Sequence, residues 1–188
     1  MYVNGNEIEL TEEQSAALRI ETGGGDDDVS IGINVATGIT VDGGEGADRI
    51  VGGSGDDDLD GGSGGDTIKG RVGDDKILGG SGSDELSGGS GNDTIRGQQG
   101  DDTIHGGSGD DTIRGQQGND QIRGGSGDDR VFGGTGDDSI DGQAGDDTIF
   151  GNDGDDTIDG GDGADVLEGN GGNDTITGDS REDTLASS

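Results

Sequence analysis

From Gly43 to Ala186 an aliphatic side chain returns at every ninth residue, beginning Ile50, Leu59, Ile68, Ile77 and ending at Leu185. Nine is neither a helical nor a strand period, so each aliphatic reads as the one inward residue of a short element. Sixteen such units fill the 144 residues. The aliphatic at position eight is flanked by outward residues, as in Thr112-Ile113-Arg114, which predicts a three-residue strand. Position one is Gly in every unit, and position four is Gly in all but the last, which has Arg181. The first six residues therefore read as a turn, because Gly tolerates positive φ. Two units make a coil of 18 residues, with strands alternating between two sheets and stacking in parallel about 4.8 Å apart. Eight coils would form a flattened rod of roughly 38 Å.

Residues 1–42 lie outside the strict frame and read as an N-terminal region, followed by the repeat over 43–186 and a tail at 187–188. Glu7–Leu10 suits a short strand, and Thr11 with Gln14 fits a capping box opening a helix over Glu12–Ile20. Gly23-Gly24-Gly25 ends that helix and opens an acidic turn, Asp26–Asp28. Val29, Ile31, Ile33 and Val35 alternate like a strand, as do Ile39 and Val41. The steps from Ile31 to Val41 to Ile50 are ten and nine, so 29–42 read as degenerate first coils. Residues 1–22 then read as a small helical cap over the open end of the stack.

Composition changes the picture. The net charge is −34, with 22% hydrophobic and 2% aromatic residues, the signature of a chain that cannot fold unaided. One buried aliphatic per unit contributes about 2 kcal/mol. Ordering its nine residues costs more than that, at about 1 kcal/mol or more each, and carboxylate repulsion adds to the cost. A cation is missing from the sequence. There is no cysteine, hence no disulfide framework. No apolar run reaches the roughly 18–20 residues of a membrane span, and Met1–Leu10 lacks the basic and apolar stretches of a secretory signal. The acidity argues against nucleic acid and anionic membrane as partners.

Position six is Asp in all sixteen units: Asp48, Asp57, Asp66, Asp75, Asp84, Asp93, Asp102, Asp111, Asp120, Asp129, Asp138, Asp147, Asp156, Asp165, Asp174 and Asp183. Calcium takes six to eight oxygens from carboxylates and carbonyls, and a Gly-rich turn leaves its carbonyls unshielded. Gly106-Gly107-Ser108-Gly109-Asp110-Asp111-Thr112-Ile113-Arg114 and the unit Gly124–Phe132 match Gly-Gly-x-Gly-x-Asp-x-aliphatic-x at every defined position. The chain thus resembles the RTX, or haemolysin-type, calcium-binding proteins. That resemblance implies an all-β, right-handed parallel β-roll. It implies ions held between turns two units apart, with carbonyls from turns such as Gly88, Gly89, Ser90, Gly91 and Asn92 facing Gly106, Gly107, Ser108, Gly109 and Asp110. The position-six Asp would bridge neighbouring ions. Sixteen turns in two columns, with the damaged last unit excluded, leave room for about 13 Ca2+, whose +26 would bring the charge from −34 to −8. Position two departs from Gly at Arg71, Gln98, Gln116, Gln143, Asn152, Asn170 and Asp179, where weakened sites are expected.

The function so implied is a non-enzymatic calcium-binding roll of a secreted bacterial protein, exported by type I secretion and folding in extracellular calcium. Only Ser187 and Ser188 follow the last unit, where RTX proteins usually carry a longer flank with a secretion signal, so either a shortened chain or an unusual short member is expected. The alternatives are an adhesion or acidic-polysaccharide-binding module scaffolded by calcium, or a non-catalytic piece of a larger enzyme. His105, the only histidine, takes an outward strand position and reads as surface; no Ser, His and acid constellation surrounds it. Paired carboxylates recur in nearly every unit, which suits ion binding rather than one acid–base pair. Outward threonine rows are broken by Lys76, Arg130, Glu85 and Gln121, against an ice-binding plane. Lys76, Arg96, Arg114 and Arg130 share one sheet with Phe132 and Phe150, either as a solvated face or as a shallow site for an acidic polysaccharide.

Overall fold

A single unit shows how the chain folds. In Thr94-Ile95-Arg96-Gly97-Gln98-Gln99 the strand carries Ile95 and Gly97 inward, while Thr94, Arg96 and Gln98 alternate outward. The strand is therefore six residues long where three were expected, running on through positions one to three of the next unit. Position one faces inward without a side chain because the carboxylate of its own unit lies over it. A Cβ at Gly106 would collide with Asp111 Oδ2 and with the Gly124 carbonyl.

The computed structural model describes residues 2–4, 6–7, 18–178 and 183–186. These form about nine turns of a parallel β-solenoid with two sheets. One sheet has ten strands, from Arg19–Glu21 to Thr184–Ala186, and the other eleven, ending at Thr175–Thr177. Within the repeat every strand pairs in parallel with those 18 residues away, for example Ile95 beside Ile113 and Leu86 beside Ile104. The core is one stack of these aliphatics, buried from Val29 to Leu167. In the last described strands Ile176 is partly buried and Leu185 is 52% exposed.

The N-terminal region differs from expectation. Arg19–Glu21 is a strand pairing with Thr40–Asp42, so Ile20 is not helical; residues 12–17 of the expected helix and 8–10 of the expected Glu7–Leu10 strand lie outside the described residues. Val29, not Ile31, pairs with Ile50, and Ile33 is 68% exposed in a turn. From Ile20 to Val29 to Val41 the inward steps are nine and twelve, so three extra residues in the loop before Thr40 shift the register of the first coil. The edge strand Asp28–Ser30 is covered by an antiparallel pair, Tyr2–Val3 and Asn6–Glu7.

Candidate metal centres along the turns

Each turn is built so that its carbonyls and carboxylate meet those of the turn one coil on. Gly107 and Gly109, at positions two and four, have φ of +126° and +118°. A Cβ on either would collide with the carbonyl of the same position one coil earlier, Gly89 and Gly91. The two turns Gly88–Asn92 and Gly106–Asp110 are thereby stacked, with Gly89 beside Gly107 and Ser90 beside Ser108. The Gly91 N–H donates to the Ser108 carbonyl at 2.9 Å. Where position two is not Gly the positive φ persists, at 88° for Arg71, 87° for Gln98 and 86° for Gln116. Each costs on the order of 1 kcal/mol, yet leaves the carbonyl in place.

Ladders of side-chain oxygens run along the turn columns in opposite directions, continuous at position six and, at position five, broken where Ala47, Gly65 and Ser83 offer no carboxylate or amide oxygen. The Asp93 N–H donates to Asp111 Oδ1 one coil later, at 2.7 Å, and the Asp111 N–H donates to Asp129 Oδ1 at 2.8 Å. At position five the sense reverses: the Asp110 N–H donates to Asn92 Oδ1 one coil earlier, at 2.9 Å. Position-six aspartates are buried from Asp48 through Asp165; Asp174 and Asp183, near the open end, are partly exposed. The ladders engage one oxygen only. From Asp66 to Asp156 every position-six Oδ2 is buried with no hydrogen-bond partner.

Rows of buried, unsatisfied carboxylate oxygens beside stacked carbonyls ask for a hard cation. The family model of the RTX calcium-binding nonapeptide repeat, built on four copies, matches residues 40–68, 60–95, 87–122, 96–131, 123–158 and 150–185. The chain belongs to the RTX calcium-binding repeat family. No curated protein matches it. Calcium fits these residues: the orphaned Oδ2 atoms supply charge, and the glycine cradle leaves carbonyls that a Cβ would cover. No group of three His, Cys, Asp or Glu side chains converges among the described residues, so most ligands of an RTX ion here would be backbone oxygens.

Burial raises the carboxyl groups well above the ordinary range, to about 7 for Asp75, Asp93, Asp102, Asp111, Asp138 and Asp147 and to about 6 for Asp66, Asp120 and Asp129. Hydrogen bonds from the backbone oppose that shift, and neighbouring carboxylates add to it in most of these groups. A folded pKa raised above the unfolded value of about 3.9 stabilises the metal-free fold at low pH. That contribution is lost as pH rises through 6 to 7. The chelated RTX chain should accordingly gain β signal in far-UV circular dichroism between pH 8 and pH 5, while sedimentation shows it soluble. A signal unchanged over that range would contradict burial as the dominant cause.

Sequence reasoning missed one RTX unit. Thr22–Ser30 carries Gly23, Gly25, Asp27 and Val29 at positions two, four, six and eight, with Thr22 in place of the first Gly. Gly25 has φ +102°, the Asp27 N–H donates to Asp48 Oδ1 at 2.8 Å, and Asp27 Oδ2 is buried without a partner. The nine-residue step from Ile20 to Val29 was the available signal. At this unit Asn4 supplies the ladder contacts: its Nδ2 donates to Asp27 Oδ1 at 2.7 Å and its Oδ1 accepts from the Asp28 N–H at 2.8 Å. The other column begins differently. Ile39 stands at position six, Asp57 Oδ2 accepts the Gly53 N–H at 2.8 Å, and Arg71 Nη1 donates to the Ile31 and Gly52 carbonyls at 3.0 and 3.1 Å. His105 lies half-buried between Ser87 and Arg123, its pKa lowered by burial and then by Arg123.

Proposed function

We propose that this chain is a calcium-assembled roll of a secreted protein, unfolded where calcium is scarce and folding where it is abundant. The observation that carries the reading is the unbroken row of orphaned Oδ2 atoms from Asp66 to Asp156. An apolar protein interior does not leave eleven carboxylate oxygens without partners unless something else binds them. The position-six aspartates and the carbonyls of positions one to five would hold the ions, and the metal supplies the positive charge that net −34 requires. Because at neutral pH the repeat folds only with its ions, metal binding and folding there share one free energy. A chain kept unfolded at low calcium suits passage through a narrow export channel, in keeping with type I secretion in this family.

To the roughly 13 ions expected from the strict repeat, this reading adds one at the N-terminal end. The unit Thr22–Ser30 adds one gap to its column, bounded by Asp27 and Asp48. In the other column Ile39 and Arg71 replace a carboxylate and a metal, so the protein's own guanidinium closes that end. Equilibrium dialysis of the folded chain should give about 14 ions by this count, falling on Asp27→Ala. Five or fewer would overturn the reading.

Arg71 yields a second test. Arg71→Gly restores the repeat glycine and relieves about 1 kcal/mol of backbone strain. It also removes two charge-assisted hydrogen bonds of about 1.5–3 kcal/mol each. The expected result is faster amide exchange over Ile31–Gly53 in millimolar calcium, with the central coils unchanged. Equal or slower exchange would show that Arg71 closes nothing.

A further inference from the structure

Five consecutive strands of the ten-stranded sheet, Lys76–Ser81 through Thr148–Asp153, present no carboxylate at their outward positions seven, nine and two. The chain holds 44 acidic residues, and the flanking strands at once resume them with Asp60 and Glu168. Along this face the position-nine column reads Arg96, Arg114, Phe132, Phe150, one residue per coil. The two phenylalanines, the only ones in the chain, stack at 5.2 Å between centroids with planes 12° apart. Arg114 lies 4.8 Å over Phe132, and Arg130 lies 4.9 Å from Phe132 and 5.5 Å from Phe150. Arg96, Arg114 and Arg130 enter no ion pair among the described residues, whereas Arg19, Arg49 and Lys76 do. The opposite sheet face is mixed, with Arg123 beside Asp141 and His105 beside Ser87.

We propose that this face is a binding surface for an acidic polysaccharide of the polyuronate class. Unpaired guanidiniums spaced one coil apart, about 4.8 Å, offer bidentate donors to successive carboxylates. The phenylalanine pair, stacked along the column, offers an apolar strip beside the guanidiniums against which a sugar ring sets its apolar side, and Gln98 and Gln116 border it with amides that meet hydroxyls. An open, extended sheet face suits a polymer rather than a small molecule. Simple surface packing explains the stacked rings; it does not explain why three cations in so acidic a chain are left without carboxylates.

The surface rests on the calcium-dependent fold, so the test is run in millimolar calcium with folding verified by circular dichroism. Loss of the fold then counts against the proposed function, and loss of binding in a folded chain counts against the surface. With only two phenylalanines, their ring resonances in NMR report contact directly. Soluble oligogalacturonides should shift both ring signals, neutral dextran oligomers should not, and Arg96→Ser/Arg114→Ser should weaken affinity at least tenfold. Lys69→Ser/Arg123→Ser removes equal charge from the opposite sheet and should leave affinity within about twofold. The proposal is overturned by an absence of ring shifts with the uronides, or by equal losses in the two double variants. Shifts that depend on protein concentration alone would likewise overturn it, assigning the face to a second copy of this chain.

Discussion

In chelator at neutral pH the chain should give a coil-like far-UV circular dichroism spectrum, and millimolar calcium should convert it to a β spectrum with a Hill coefficient above one. The whole secondary structure is at stake, which makes this the largest expected effect. The buried row from Asp66 to Asp156 brings like charges into line with one oxygen of each unsatisfied. At neutral pH the metal-free fold must either keep those groups protonated or carry their charge in a poorly solvated interior. Calcium removes both costs. Cooperativity follows from the ladders, since each coil receives carboxylate acceptors from both neighbours and has none in isolation. Magnesium at the same concentration should leave the coil spectrum, because it demands smaller octahedral geometry and gives up water reluctantly. A chain that is fully β in chelator at neutral pH would refute the reading.

Asp111→Ala should cost about 2–4 kcal/mol of unfolding free energy in millimolar calcium, and Asp48→Ala no more than about half of that. Asp111 sits in mid-column, and its loss leaves the Asp93 N–H buried without its acceptor. It also removes an Oδ2 from the orphaned row. Asp48 makes the same kinds of contact, but only the coil of Asp27 lies beyond it, and that end frays at little cost. Asp111→Asn separates the two roles. It keeps an oxygen for the Asp93 N–H and removes the charge, so it should raise the calcium midpoint without destabilising the acid-folded, metal-free chain. Urea unfolding at fixed calcium, with calcium titrations, reads all three variants. Equal losses at Asp48 and Asp111 would mean that the units act independently.

The repeat was legible because two positions never vary in kind. Position eight must fill the core and position six must face the turn column, and both show as strict nine-residue spacing. What escaped reading lacks a side chain or breaks the spacing. Gly97 and its equivalents lie inside strands yet read as turn, because what holds them inward is the carboxylate five residues on in the same unit and not a Cβ of their own. The unit Thr22–Ser30 was hidden by Thr22 at position one and by three extra residues before Thr40, which put Ile31 in apparent register instead of Val29. Ile20 fits a helical face or a strand equally well, and only its pairing with Val41 decides between them. Arg71 showed in sequence only as a poor turn residue; its contacts with Ile31 and Gly52 span up to 40 residues.

The uniform coil has a mechanical consequence. In the middle of the repeat every boundary is crossed by the same five-residue strand pairing and the same position-six ladder, so no coil boundary there is a designed weak point. Under tension applied at the C-terminal end, where Leu185 is already half uncovered, coils should peel off singly from that end. Each coil releases 18 residues of chain, roughly 60 Å when extended. The rod would therefore lengthen under load in equal increments and retract by the same increments when the load falls, with ambient calcium setting the force at which each step occurs.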